Sequence, residues 1–192
     1  LLKKIPRSDE ADAIRAIVAN NIWMLEMKCG NLLAAEKALR ECELYVGEDN
    51  SLSKIHFLEA KSGTYRAMCR PAEAVAADEA ALREMSASSD PFNASVTLNR
   101  IAISRLDMGD IAAARKAASE AMKKGILSEY AGVIADAFAT STNICLAEDM
   151  LSEARKTIDS GLDQIPEIAS PRGRLNMLSA KVSVALREKD WD

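Results

Sequence analysis

Met108-Gly109-Asp110-Ile111-Ala112-Ala113-Ala114-Arg115-Lys116-Ala117-Ala118-Ser119-Glu120-Ala121-Met122 reads as a tight turn feeding an alanine-rich helix. Glycine ends the incoming helix, because it takes the left-handed conformation after a helix C-terminus without a Cβ penalty. Asp110 is placed to cap the open N–H groups of the outgoing helix. Ala114 and Ala121, seven residues apart, fall on one face of that helix.

The arrangement recurs. Aligning the turns puts Gly30, Cys69, Gly109, Asp149 and Lys189 in one column, at intervals of 39, 40, 40 and 40 residues. Five residues beyond the first four stand Ala35, Ala74, Ala114 and Ala154, and seven further on stand Cys42, Ala81, Ala121 and Gly161. All eight are small. A large side chain would hold two helix backbones apart where they cross, so these columns predict close helix approach inside each repeat and between repeats.

Outward from the quoted stretch, apolar residues step by three and four between helix-start and helix-stop signals along the chain. Ser8 opens a helix with the stripe Ile14, Val18, Ile22, Leu25 and Cys29, and Gly30-Asn31 turns it into a second helix ending before a polar turn at 47–50. Ser51 starts the next pair, with Ile55, Leu58, Ser62 and Tyr65 leading to Cys69-Arg70-Pro71 and a loop at 86–89. Asp90-Pro91 opens a third pair that runs out at Gly125, and Ser128 a fourth that ends before Pro166. Ser170-Pro171 opens a ninth helix, and Lys189 to Asp192 reads as the start of a tenth. Helices joined by two residues run antiparallel, so the spacing predicts hairpins over 8–46, 51–86, 91–124 and 128–165, with an incomplete one over 170–192.

Composition supports an all-α chain. Hydrophobic residues make up 48% but aromatics only 4%, and five prolines and eight glycines leave little material for a many-turned β fold. A net charge of −4 gives no general attraction for nucleic acid. The cluster Arg115, Lys116, Lys123 and Lys124 is spread around one helix with Glu120 in its midst, so a solvated face is expected. Cys29, Cys42, Cys69 and Cys145 lack metal-ligand spacing and fall within helical patterns, which predicts small buried thiols in a reducing, cytoplasmic setting. Met24, Met27, Met68, Met108 and Met122 are expected as core filler, and Trp23 as buried. No apolar run approaches a membrane span. The chain does not begin with Met and stops on a helix-start signal, so we expect an internal piece of a longer protein.

The turn glycine followed after five residues by alanine and after twelve by another small residue resembles the tetratricopeptide (TPR) family of helical hairpins. Gly30, Gly109, the small-residue columns and Tyr65 carry the resemblance over nearly the whole chain. Two features depart from the family: the repeat is longer, and the first-helix Leu-Gly pair is replaced by Ile22-Trp23, Lys61-Ser62, Ile101-Ala102 and Ser141-Thr142. Repeats near 40 residues look more like the TPR-like sensor arms of bacterial regulatory proteins. The resemblance implies one solenoid over 1–192, an α-α superhelix of about four and a half hairpins, whose first helices line a concave groove.

On that analogy the inward positions fall six and ten residues before each turn column, with others at three and thirteen. They give Asn20 and Met24; His56, Glu59 and Arg66; Val96, Asn99, Ile103 and Leu106; Ala139, Asn143 and Leu146; and Asn176, Ser179 and Ser183. Asparagine donates and accepts at once, which suits the backbone of an extended peptide; solvation or pairing with a neighbouring helix accounts equally for Asn20, Asn99 and Asn143. Arg66 and Arg100 are placed either to grip a partner carboxylate or to pair with Glu59 and Asp107. His56 is the single histidine, three residues before Glu59, a spacing that serves helix stabilisation more readily than catalysis. None of the hydrolase, zinc-protease, dinucleotide or phosphate-loop motifs occurs. The expectation is a non-catalytic scaffold without cofactor or metal, which binds a protein or peptide and contacts neither nucleic acid nor membrane. The alternative is a small-molecule-sensing arm of a bacterial transcription regulator or signalling enzyme.

Overall fold

A computed structural model describes residues 8–46, 51–85, 90–165 and 170–188. Among these residues the chain is helical throughout, without a strand. The expected turn at 47–50, the loop at 86–89, the helix end at Pro166 and the start of a tenth helix at 189–192 lie outside the described residues. The helices are α1 (Asp9–Lys28), α2 (Leu32–Glu43), α3 (Ser51–Ala67), α4 (Pro71–Glu84), α5 (Pro91–Asp107), α6 (Ile111–Ser128), α7 (Ala131–Ala147), α8 (Leu151–Gln164) and α9 (Pro171–Glu188). They gather into two compact units, Leu1–Ala87 and Ser88–Asp192.

The sequence signals for helix starts are realised by hydrogen bonds. Ser8, Asp90, Asp110 and Ser170 accept from the backbone N–H groups of Ala11, Phe92, Ala113 and Gly173, and Pro91 and Pro171 stand first in their helices. The turn column is a structural repeat as well. Gly30, Cys69, Gly109 and Asp149 all have positive φ, at 75°, 55°, 76° and 59°. In each turn this residue donates to the carbonyl three residues back, and the next residue donates to the carbonyl five back: Asn31 to Glu26, Arg70 to Tyr65, Asp110 to Arg105 and Met150 to Cys145, at 2.8–3.0 Å. This pair of bonds closes the open carbonyls of a helix end and reverses the chain in two residues. Cys69 and Asp149 therefore occupy the left-handed position that glycine takes in the other two turns.

In the first unit, α1 pairs with α2 and α3 with α4, and α2 packs on α3. Its core joins Ala19, Leu39, Cys42, Phe57 and Ala60. The half-buried Trp23 donates from Nε1 to Thr64 Oγ1 at 2.8 Å, tying α1 to α3. Ser62 and Asp78, both fully buried, share a 2.6 Å hydrogen bond between α3 and α4. The stripe expected to bury α1 is displaced. Ile14, Ile22 and Leu25 are 56%, 43% and 62% exposed, and α1 instead buries Arg15 and Ala19. The small residues Ala16 and Ala19 let α2 approach closely, which turns the aliphatic stripe away from the hairpin.

In the second unit, α5 pairs with α6, α7 with α8, and α9 packs on α7 and α8; α7 also meets α5 and α6. Phe138, Cys145, Leu146, Ile158, Met177 and Val184 form the centre of its core. The hairpin boundary expected at Gly125 and Ser128 shifts: α6 runs on to Ser128, Glu129 takes the left-handed turn at φ 55°, and α7 begins at Ala131. Gly125 is buried inside α6, where an added Cβ would stand 3.2 Å from Ser95 Oγ, so this glycine serves close packing with α5. All eight small-column residues are buried, from Ala35 and Cys42 to Ala154 and Gly161.

Two residue types divide between core and surface. Cys42 and Cys145 are buried and burial raises both thiol pKa values, whereas Cys29 and Cys69 sit exposed at helix ends, against the expectation of four buried thiols. Met27, Met68 and Met122 are half-buried, but Met24 and Met108 are exposed, because the former faces the open side of α1 and the latter caps α5 next to its turn.

Candidate functional site

The first-helix positions chosen from the sequence distribute between the two units. On α1, Asn20 is half-buried and Met24 exposed. On α3, His56 is exposed while Glu59 and Arg66 are half-buried; His56 Nδ1 lies 3.5 Å from Glu59 Oε2, a pair that the three-residue spacing anticipated. On α5, Arg100 donates to Thr97 Oγ1 at 3.1 Å and Ile103 is 38% exposed. Asn143, on α7, is exposed. Ile103 and Asn143 both stand six residues before their turns, so two neighbouring helices present an aliphatic and a carboxamide side chain in matching register.

Asn99 does not stand open to solvent. It follows Ser95 by one helical turn, and Ser95 donates to the Ala121 carbonyl of α6 at 2.7 Å, so the same face carries Asn99 into packing. Its Oδ1 is buried without a hydrogen-bond partner. An amide oxygen in that state is destabilising by about 1–3 kcal/mol, which makes Asn99 an expensive residue for packing alone.

The second-helix side carries features that no single stretch of sequence reveals. Between α6, α7 and α8 lies a cleft of about 390 Å³. Ala118, Met122, Ile144 and Cys145 give it apolar walls, and Ser119, Ser141 and Thr157 add hydroxyls. At its turn-side end Arg115 of α6 reaches Glu148, and its other nitrogen lies 3.3 Å from Glu153 Oε1. The hydrogen bond to Glu148 raises the Arg115 pKa, so the guanidinium stays charged and balanced by two acids.

The first unit holds a counterpart of about 240 Å³ between α2 and α3. Its charges run in the opposite sense: Glu36 of α2 accepts from Arg70 of the next turn at 3.0 Å, and Arg70 also binds Glu73 at 2.8 Å while lying over the Tyr65 ring. Hydrogen bonds from Arg40 and Arg70 hold the Glu36 carboxyl below the usual glutamate range. A third example follows in α8, where Arg155 meets Glu188 of α9. Arg115 and Arg155 both stand six residues after a turn, and Glu148 and Glu188 both stand one residue before the next turn column. These ion pairs latch one hairpin to its neighbour within a unit.

Among the described residues no group of three or more His, Cys, Asp or Glu side chains is arranged to hold a metal ion, and no helix is long and apolar enough to cross a membrane. No family model matches the chain, and comparison with curated proteins finds no match.

Proposed function

We propose that the hairpins belong to a TPR-like array, and that the chain is a non-catalytic scaffold that binds a peptide or protein segment along its first helices. The observation that carries this reading is the register of Ile103 and Asn143. An extended peptide offers an apolar side chain and backbone N–H and C=O groups at short intervals, and an exposed aliphatic beside an exposed carboxamide answers both. In the first unit the same register places Met24 on α1 and Gly63 on α3, with Glu59 one turn before Gly63. The repeated turn geometry and the buried small-residue columns support the kinship with TPR-like hairpins, and the recurring latches would keep neighbouring first helices in register.

A peptide-display selection against the full 192-residue chain tests the reading. Selected peptides are expected to lose at least about tenfold in affinity with Ile103→Glu and to weaken with Asn143→Ala, with helicity unchanged by circular dichroism. Peptides whose binding ignores both substitutions would place the interaction elsewhere and defeat the proposal.

A further inference from the structure

Asp136 of α7 is the one acid in its column. Thirteen residues before the turn, the other first helices carry Ile17, His56, Val96 and Asn176, so nothing in the repeat calls for a carboxylate there. The residue lies beyond the first turn of α7, which starts at Ala131, and therefore neither caps that helix nor serves the positive end of its dipole. It is half-buried.

Asn176 Nδ2 donates to Asp136 Oδ1 at 2.8 Å, which joins α7 to α9 within the second unit. That bond needs an acceptor and not a charge, since the oxygen of a neutral carboxamide would make it equally. The other oxygen, Oδ2, accepts from no group among the described residues, and Asp136 forms no ion pair among them. Arg172 stands one turn before Asn176 on α9 yet leaves the carboxylate unmet, and Arg100 of α5 donates to Thr97.

The Asp136–Asn176 bond also shows that residues thirteen before their turns meet across neighbouring first helices. Like α9, α5 packs on α7, and in the same register its Val96 stands beside Asp136. Ala139, one turn on, is buried and its methyl group offers the carboxylate no donor. Asn143 follows two turns after Asp136, as Ile103 follows Val96, so the unpaired carboxylate shares a face with the exposed carboxamide and aliphatic side chain.

We propose that the segment bound on the first helices of the second unit is basic, and that one of its lysine or arginine side chains seats on Asp136. This rests on the peptide reading above and names the class of peptide. The cation meets Oδ2 while Asn176 holds Oδ1, so the carboxylate is oriented before the partner arrives. Val96 and Ala139 thin the water around the pair, which strengthens it over one in open solvent. The net charge of −4 favours encounter with a basic partner.

Random peptides displayed on phage are selected in parallel against the full 192-residue chain, Asp136→Asn and Asp136→Lys. Asparagine keeps the acceptor for Asn176 and removes only the charge; circular dichroism checks that both variants stay helical. Peptides selected on the parent chain and sensitive to Ile103→Glu are expected to share a lysine or arginine, to bind Asp136→Asn about tenfold more weakly, and to lose affinity with added salt. Against Asp136→Lys the shared position is expected to turn acidic. Peptides that respond to Ile103→Glu but share no cation, or that bind Asp136→Asn as tightly as the parent chain, would overturn the basic-peptide inference and leave the peptide reading standing. Peptides indifferent to Ile103→Glu, or a selection that yields none, would defeat both.

Discussion

Gly161→Ala isolates the claim that the small-residue columns exist for close helix approach. Gly161 lies within α8, and a Cβ built there would stand 2.7 Å from Phe138 Cγ, 3.0 Å from Phe138 Cβ and 3.1 Å from Met177 Sδ. Both side chains are buried in the core of the unit, so neither has open space to move into. Overpacking of this kind is destabilising by about 1–3 kcal/mol, and two contacts at or below 3.0 Å argue for the upper part of that range. Alanine in a helix is about 1 kcal/mol better than glycine, which offsets part of the loss. The net expectation is a destabilisation of about 1–2 kcal/mol, arising in the second unit. Gly63→Ala is the internal comparison, because Gly63 lies inside α3 with nothing within 4 Å of its added Cβ. There the propensity gain acts alone and the expected sign reverses, to a stabilisation of about 1 kcal/mol. Urea titrations followed by circular dichroism at 222 nm measure both. If Gly161→Ala matched Gly63→Ala in sign, the columns would reflect composition and not packing, and the small-residue reasoning would fail.

Cys69→Gly relieves a left-handed non-glycine residue and is expected to stabilise the first unit by about 1 kcal/mol, whereas Asp149→Gly gains less, because aspartate tolerates that conformation better; thermal unfolding of the two variants ranks them. Ser62→Ala removes a buried donor from Asp78 and is expected to destabilise by about 1–3 kcal/mol, read from the urea midpoint. Glu36 is held below its ordinary pKa of 4.5, first by Arg40 and then by Arg70, so its charged form favours the folded state. That contribution is complete above 4.5 and is lost as pH falls through the lower folded value. Glu36→Gln is expected to destabilise at pH 6 and to converge with the parent chain near pH 3, compared by urea midpoints at the two pH values.

The turns were legible because their requirement is local. A left-handed residue followed two bonds later by a new helix leaves a mark at fixed spacing, and the spacing placed Cys69 and Asp149 in the column although neither is glycine. The small columns were legible for the same reason, since one helix face repeats every seven residues. Gly125 misled because glycine has two uses, ending a helix or admitting a neighbour, and a single sequence does not separate them. The stripe of Ile14, Ile22 and Leu25 misled because periodicity reports a face and not what covers it. Of the first-helix positions, His56 with Glu59 was readable from three-residue spacing, but the burial of Asn99 depends on α6. The cleft draws on Arg115, Ser141 and Thr157 from three helices, so no window of sequence contains it.

The bare stripe on α1 bears on how the first unit comes apart. A helix gains most of its stability from the face it buries, and α1 keeps Ile14, Ile17, Ile22 and Leu25 in water. Its holds are small residues against α2 and the Trp23 bond to Thr64. The α3/α4 hairpin has Phe57 and the buried Ser62–Asp78 bond. Opening of the first unit is therefore expected to be graded along the chain, with amide protons of α1 exchanging with solvent sooner than those of α3 in hydrogen-exchange measurements.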